Sequence, residues 1–448
     1  MASRHAPLRS RRLKGPKTTS HPRGTRPGRH PRIRRLAIDL TPLRVSRDFR
    51  LLWAGGFVSQ LGYQFAQVAI YVQVAELTRS AAAVGTIGLV GIGGLLVGTM
   101  VGSSFIDARD RRVTLKWAQV ASMAGTAILL AGAVHGRPPV ALIYLASAIH
   151  AFVGSIDLPT RAAMLPRLVE RDILPTALAL NQVMWRTVAI VGPALAGILI
   201  SRFGFVAAYA IDLVTYAALF VAALKLRPMP PQLGPETAVG WRAAREGFRY
   251  VWGSRLIGAT FLIDLIAMIF GMPQALFTFL ALSQFNRGPE VVGLLFAAPA
   301  VGAVAQALLA GWTKGVRRQG MAVIYAVVVW GGAIAAFGLV GPNLVAGLLF
   351  LVLAGAADGV SAIFRSTIMQ VTTPDRLRGR MSQVYTLVVN GGPRLGDFES
   401  GLVAAWFTPT FSVVTGGLAC VIGAGLVAIA YPELRRYRTD TDRTSAAG

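Results

Sequence analysis

Cysteine is almost missing from this chain: Cys420 stands alone, so neither an internal disulfide nor a cysteine-cluster metal site can form. Histidine is also scarce, and three of the five lie before residue 31, which leaves too few for a histidine metal centre. No metal, cofactor or catalytic residue is expected. There is no G-x-x-x-x-G-K-[ST] loop, which excludes an ATP-driven pump of that class. A membrane enzyme is disfavoured because no nucleophile–base constellation appears. Charge is in short supply: 15% of residues are charged against 54% apolar, and mean hydropathy is +0.55. Most of such a chain belongs in lipid. Acids are the scarcer sign, giving a net charge of +25. In a soluble protein that excess would suggest nucleic acid, but no aromatic residue is interleaved with the tail arginines, so no specific nucleic-acid partner is expected.

What is present is a series of long apolar runs. Residues 1–47 have none and read as a disordered basic cytoplasmic tail in contact with anionic lipid. No apolar segment follows their positive charges as in a signal peptide. Helices are expected near 50–75, 82–106, 113–134, 140–165, 174–201, 204–226, 256–282, 290–313, 320–340, 343–369, 380–405 and 409–430. Each reaches about 20 residues, enough for a hydrocarbon core of roughly 30 Å. Breakers such as Arg137-Pro138-Pro139, Phe203-Gly204 and Gly341-Pro342-Asn343 separate them. Lys and Arg crowd alternate connections, while the others hold only Arg79, Arg137, Arg202 and Arg287. The positive-inside rule then puts both termini in the cytoplasm.

The chain also repeats itself. Arg161 and Arg365, Gly192 and Gly396, and Gly197 and Gly401 are each 204 positions apart, inside similar apolar segments. Two homologous membrane halves, as in secondary transporters, are the expected architecture. The fold class is an all-α membrane protein with twelve transmembrane helices in two six-helix halves, at 48–226 and 255–431. A cytoplasmic linker at 227–254 joins them, and 432–448 is a cytoplasmic tail. Within the linker, Trp241, Ala244, Phe248 and Val251 share one helical face and Arg242, Arg245 and Arg249 another, an amphipathic helix suited to the membrane interface.

The connection GSSFIDARDRRVTL carries the first chemical signal. An acid at a helix end beside a basic cluster can hold neighbouring helices in one state and release them in another. Asp107, Arg109, Arg111 and Arg112 are therefore gating candidates. This loop resembles the G-x-x-x-D-R-x-G-[RK]-[RK] pattern of the major facilitator superfamily, with Ser103 for Gly and Ala108 for Arg. The phrases DFRLLWAGGFVSQLG, DARDRR, LPTRAAMLPRLV, FLIDLIAMIFGMPQALF, TPDRLRGRMSQV and LGDFESGLVA are similar to the branch containing the enterobactin exporter and related macrolide-type efflux permeases. That resemblance implies proton-coupled export by alternating access, with siderophores or other amphipathic molecules as substrates.

Ionisable residues inside apolar segments need a reason to be there. Asp157 and Arg161 are spaced i,i+4 and are expected to pair; with Arg365 they complete the gating candidates. Asp358 and Arg365 share a face but stand two turns apart, too far on spacing alone for direct pairing. Asp264 has no basic neighbour in sequence, and an isolated carboxylate among apolar residues suits a proton carrier; a pairing with Arg186 or Arg394 is the alternative. Asp264, Asp358 and Glu399 are the proton-coupling candidates. Arg394 and Asp397 are spaced to pair, at places where the first half has Ile190 and Pro193. Gln64, Gln67 and Tyr71 share a helical face and, with Arg186, Arg394 and Asp397, are expected to line a substrate cavity. The reading is a monomeric secondary exporter of an amphipathic small molecule, exchanging it for protons in the plasma (inner) membrane. An importer or nutrient symporter on the same fold and a non-transporting sensor are the alternatives.

The topology is open to labelling. Arg137→Cys and Arg287→Cys should react with an impermeant reagent in intact cells, and Arg317→Cys only after the membrane is opened. Reaction of the 317 variant in intact cells would overturn the orientation.

Overall fold

Among the described residues, six helix starts are fixed by a side chain that accepts an otherwise unsatisfied backbone N–H. In the computed structural model, which describes residues 39–231 and 241–439, Ser46 caps Phe49, Ser80 caps Ala83 and Asp110 caps Arg112. Ser254 caps Ile257, Asn343 caps Ala346 and Thr408 caps Phe411. The expectations placed on residues 1–38, 232–240 and 440–448 lie outside the described residues.

The chain enters through α1 (Thr41–Val45) and α2 (Arg47–Thr78), so helix begins within the segment read as tail. Leu43 of α1 packs on the core formed by Phe49, Leu115, Met164 and Leu180. There follow α3 (Ala81–Ala108), α4 (Arg111–Val134), α5 (Val140–Leu168) and α6 (Leu174–Lys225). The linker helix is α7 (Trp241–Gly253). The side chains of Trp241, Arg242, Ala244 and Arg245 lie outside the described residues, and Glu246 pairs with Arg380. Next come α8 (Arg255–Phe270), α9 (Phe277–Ser283), α10 (Pro289–Leu308), α11 (Gln319–Leu339) and α12 (Leu344–Thr372). The last are α13 (Asp375–Trp406), α14 (Pro409–Ala430) and α15 (Pro432–Arg436).

Nine stretches among the described residues are long and apolar enough to cross a membrane. The 32-residue helices α2 and α13 are not among them, since Gln60, Gln64, Gln67 and Gln73 in one and Arg394, Asp397 and Glu399 in the other reduce their hydropathy. The stretch containing α6 reverses direction. At Gly204 the backbone turns to φ 73°, ψ −175°, a conformation open to glycine. Accordingly Trp53 Nε1 donates to the Leu180 carbonyl before the turn, while Gly55 packs on Leu219 and Ala222 after it.

One expected helix, 256–282, is not continuous. It breaks between Phe270 and Phe277, where Gly271 ends α8 and Pro273 has no N–H to continue it. Similarly, α10 stops at Leu308, and residues Ala310–Gly315 form a 3₁₀ turn that begins inside the segment read as helix to 313.

Helices α2 to α6 pack into one bundle and α8 to α14 into another, joined by α3 against α13 and α6 against α10. These contacts are close because both sides are small: Gly85 meets Gly401 and Gly197 meets Gly293. Without a hydrophobic drive between helices in lipid, such backbone approach supplies the dispersion energy that holds them. They lie toward the end of the molecule remote from the basic connections.

Approaches as close occur inside the second bundle, where a Cβ on Gly302 would overlap the Val352 carbonyl. Gly302→Ala should lower the thermal midpoint of the purified protein, at about 1–3 kcal/mol for overpacking. Gly93→Ala meets no neighbour and should leave it unchanged; equal midpoints for both variants would contradict this packing.

Candidate functional site

A cavity of about 330 Å³ lies between the bundles. From the first bundle Gln64, Gln67 and Tyr71 of α2 face it, with Arg186, Ala189 and Pro193 of α6. The second bundle contributes the break in its first helix, Gly271 to Gln274, and Phe277, Phe296, Trp330 and Asp358. The wall is therefore mostly apolar and aromatic, with one cation and one carboxylate from opposite bundles. Tyr71 and Phe277 each meet Phe296 edge-on, at 5.5 and 5.2 Å between centroids.

The break is held open by polar groups that take over its unpaired backbone. Trp330 Nε1 donates to the Gly271 carbonyl at 2.8 Å. Asp397 accepts from the Ala275 N–H at 2.8 Å through one oxygen and from the Tyr71 hydroxyl at 2.6 Å through the other. Asp397 thus caps the restarted helix and ties it to α2. The pairing expected between Arg394 and Asp397 is corrected here. A helical arginine leans toward the N-terminus, away from a residue three positions later, and Arg394 Nη1 donates instead to the Gly91 carbonyl at 2.6 Å. Neither Arg394 nor Asp397 is among the residues lining the cavity.

Behind the cavity wall Arg365 is buried, 1% exposed, and pairs with Asp264 of α8. The view of Asp264 as an isolated carboxylate, or one paired with Arg186 or Arg394, is therefore corrected: its partner comes from α12, which spacing along one helix does not reveal. The separation inferred for Asp358 and Arg365 is corrected by the same lean, which brings Arg365 Nη2 to 3.8 Å from Asp358 Oδ1. Asp358 keeps 34% of its side chain exposed, toward the cavity. Arg365 thus connects a buried acid to one that a solute can reach.

In the first bundle Asp157 and Arg161 pair at 2.5 Å, and Gln119 also donates to Asp157 at 3.0 Å. Arg111 donates to the Ala163 carbonyl at 2.6 Å. Arg112 donates to those of Ala223 and Leu224 at 3.1 and 2.5 Å. These cations close the carbonyl ends of neighbouring helices, where the helix dipole favours positive charge. Arg109 caps the end of α3, and the Asp107 side chain lies outside the described residues. Glu399 is half-buried, away from the cavity lining and on the stripe of α13 that carries the exposed Leu395 and Trp406.

A second buried polar cluster gave no signal in sequence. Asp212 is fully buried and accepts from Thr126 at 2.7 Å, and His150 Nε2 lies 3.1 Å from the same hydroxyl. Three helices contribute one member each, so no spacing brings them together.

The chain matches the family model described as transmembrane secretion effector over residues 37–446. It is 29% identical to the enterobactin exporter of Salmonella typhi, over 92% of this chain and 98% of that protein. To the enterobactin exporter of Escherichia coli O6:K15:H31 it is 27% identical, with the same coverage. Among solved structures it is similar to a bacterial homologue of the iron transporter ferroportin in an inward-facing state. The TM-score is 0.68 at 13% identity, covering 87% of this chain and 99% of that one. A bacterial homologue of the lysosomal transporter Spinster, inward-facing and unoccupied, gives 0.67 at 14% identity, over 87% and 99%. The chain belongs to the transmembrane secretion effector family within the major facilitator superfamily; it is a multi-pass transport protein of the inner membrane and not an enzyme.

Proposed function

We propose that the protein exports a siderophore or other amphipathic small molecule in exchange for protons, by alternating access. The observation that carries this reading is the cavity between the bundles, with Asp358 at its surface in contact with the Arg365–Asp264 pair. A broken helix beside a midplane cavity is how transporters of this architecture present polar groups to a solute. The aromatic wall suits an amphipathic molecule, and the relatives named above are siderophore exporters. Twelve crossings with both termini cytoplasmic agree with the reversal at Gly204 and with α2 and α13 as spans. With the basic end inside, the inter-bundle contacts at the far end would close the outer mouth, and the cavity would load from the cytoplasm.

The charge arithmetic at Arg365 supports a reading of proton coupling. One buried guanidinium serves two carboxylates, so a proton arriving on Asp358 leaves Arg365 fully to Asp264. Loss of that proton restores competition between them. Such a redistribution gives the two states different contacts, which a coupled equilibrium requires. Asp264, Asp358 and Arg365 are the residues proposed for coupling; Gln64, Gln67, Tyr71 and Arg186 are proposed to hold the substrate. The basic connection from Asp107 to Arg112, with Asp157 and Arg161, is proposed to set the balance between conformations. Glu399, away from the cavity, takes no part in this scheme.

Inside-out vesicles carrying the protein should accumulate labelled enterobactin when the lumen is acidified, without ATP. Asp358→Asn should reduce accumulation to background yet leave gradient-free exchange, because the Arg365–Asp264 pair stays intact. Asp264→Asn removes the main partner of a buried cation, at about 3–5 kcal/mol, and should lose accumulation together with thermal stability. Gradient-driven accumulation by Asp358→Asn at the native rate would refute coupling through this cluster.

A further inference from the structure

The two bundles treat their equivalent arginines differently. Arg161 and Arg365 are repeat mates. Arg365 takes one acid from its own helix, Asp358, and a second, Asp264, from the first helix of its bundle. Arg161 also has its own-helix acid, Asp157. The first helix of its bundle supplies none. Counted from the capping serines that start the two helices, Ser46 and Ser254, the place of Asp264 is taken in α2 by Gly56. The geometry agrees with this register: a Cβ built on Gly56 would stand 3.2 Å from Arg161 Nη1. A glycine thus occupies the side of the guanidinium on which the other bundle places a carboxylate.

The omission leaves space. A second cavity of about 330 Å³ opens over Arg161, walled by Trp53 and Gly56 of α2, Leu158 of α5, and Asn181 and Trp185 of α6. Arg161 is 9% exposed, and its Nε and Nη1 have no hydrogen-bond partner among the described residues. Buried unsatisfied donors of a cation are destabilising unless something accepts from them. The indole of Trp53 is fixed by its bond to the Leu180 carbonyl and by stacking on Phe57 at 5.8 Å. Polar atoms and rings therefore converge on one pocket. It lies on the same two helices as the central cavity, toward the basic end: Trp53 and Gly56 precede Gln64 in α2, and Asn181 precedes Arg186 in α6.

We propose that this pocket binds an aromatic carboxylate, whose anionic group takes the place that Asp264 fills in the other bundle. The carboxylate accepts from Arg161 Nη1 beside Gly56, and the ring lies against Trp53 and Trp185 with Asn181 as a polar contact. Charge-assisted bonds to a desolvated guanidinium and contact with indole faces both favour a flat anion over a neutral or cationic solute. That such a ligand is export cargo on its way to the central cavity rests on the proposed function; its binding does not.

The test uses the full-length protein in phosphatidylcholine nanodiscs, with 2-naphthoate as probe and calorimetry as readout. Saturable binding of 2-naphthoate is expected, weaker by about tenfold or more for neutral 2-naphthalenemethanol. Gly56→Asp supplies the missing carboxylate and should abolish naphthoate binding while keeping the native thermal midpoint. Should that variant not fold, Trp185→Leu and Asn181→Leu, with normal midpoints, are each expected to weaken binding about tenfold. Gly93→Ala, which meets no neighbour and lines neither cavity, should leave it unchanged. No saturable binding, or native affinity in both Gly56→Asp and Trp185→Leu, would overturn the site. Competition by phosphatidylglycerol in the discs would assign the pocket to lipid and overturn it too. Failure of vesicle transport with naphthoate binding intact would count against export alone.

Discussion

A guanidinium buried in an apolar bundle is the constraint from which much of this molecule follows. Arg365 is nearly inaccessible, and an unpaired cation there would be destabilising by several kcal/mol. It is tolerated because Asp264 arrives from α8 and Asp358 stands within reach on α12. The pairing ties α8 to α12. Just beyond that pair the helix breaks at Gly271, and the exposed backbone of the break becomes the cavity wall. Asp397, Trp330 and Tyr71 then satisfy the groups that the break releases. Charge, helix break and cavity form one structure.

The duplicated architecture is filled asymmetrically. Where the second bundle has Arg394 and Asp397, the first has Ile190 and Pro193; Pro193 lines the cavity and its carbonyl lies against Gly293. The first bundle keeps its own buried polar cluster, Asp212 with Thr126 and His150, away from the cavity lining. Two similar frames are thus filled differently, one with a charge cluster that reaches the cavity and the other with a pocket over Arg161 nearer the basic ends. The proposed alternating access would have the frames rock about their small-residue contacts, α3 on α13 and α6 on α10.

How much of this could be read from the chain depended on whether the physics was local. The apolar runs and the pairing of Asp157 with Arg161 depend on neighbours in sequence or one turn away, and both were visible there. Gln64, Gln67, Tyr71 and Arg186 were legible as cavity residues because polar side chains on one face of an apolar helix need an interior to face. The partner of Asp264 was not, since Arg365 lies in another helix. Asp397 was misassigned to Arg394 because spacing alone ignores which way a helical side chain leans. The break at Gly271 had a signal in Gly271-Met272-Pro273, but apolar residues on both sides made one helix look continuous. Asp212 and His150 had none.

Movement of the bundles is the most direct point to measure. Spin labels at Glu170→Cys and Arg378→Cys, on exposed positions at the basic ends of the two bundles, report their separation by pulsed electron resonance. Cys420 is buried, which leaves the two introduced thiols as the accessible labelling sites. Alternating access predicts a long distance in the substrate-free protein and a second, shorter population that grows when enterobactin is added or the pH is changed. A single distance, unmoved by substrate and by pH, would contradict it.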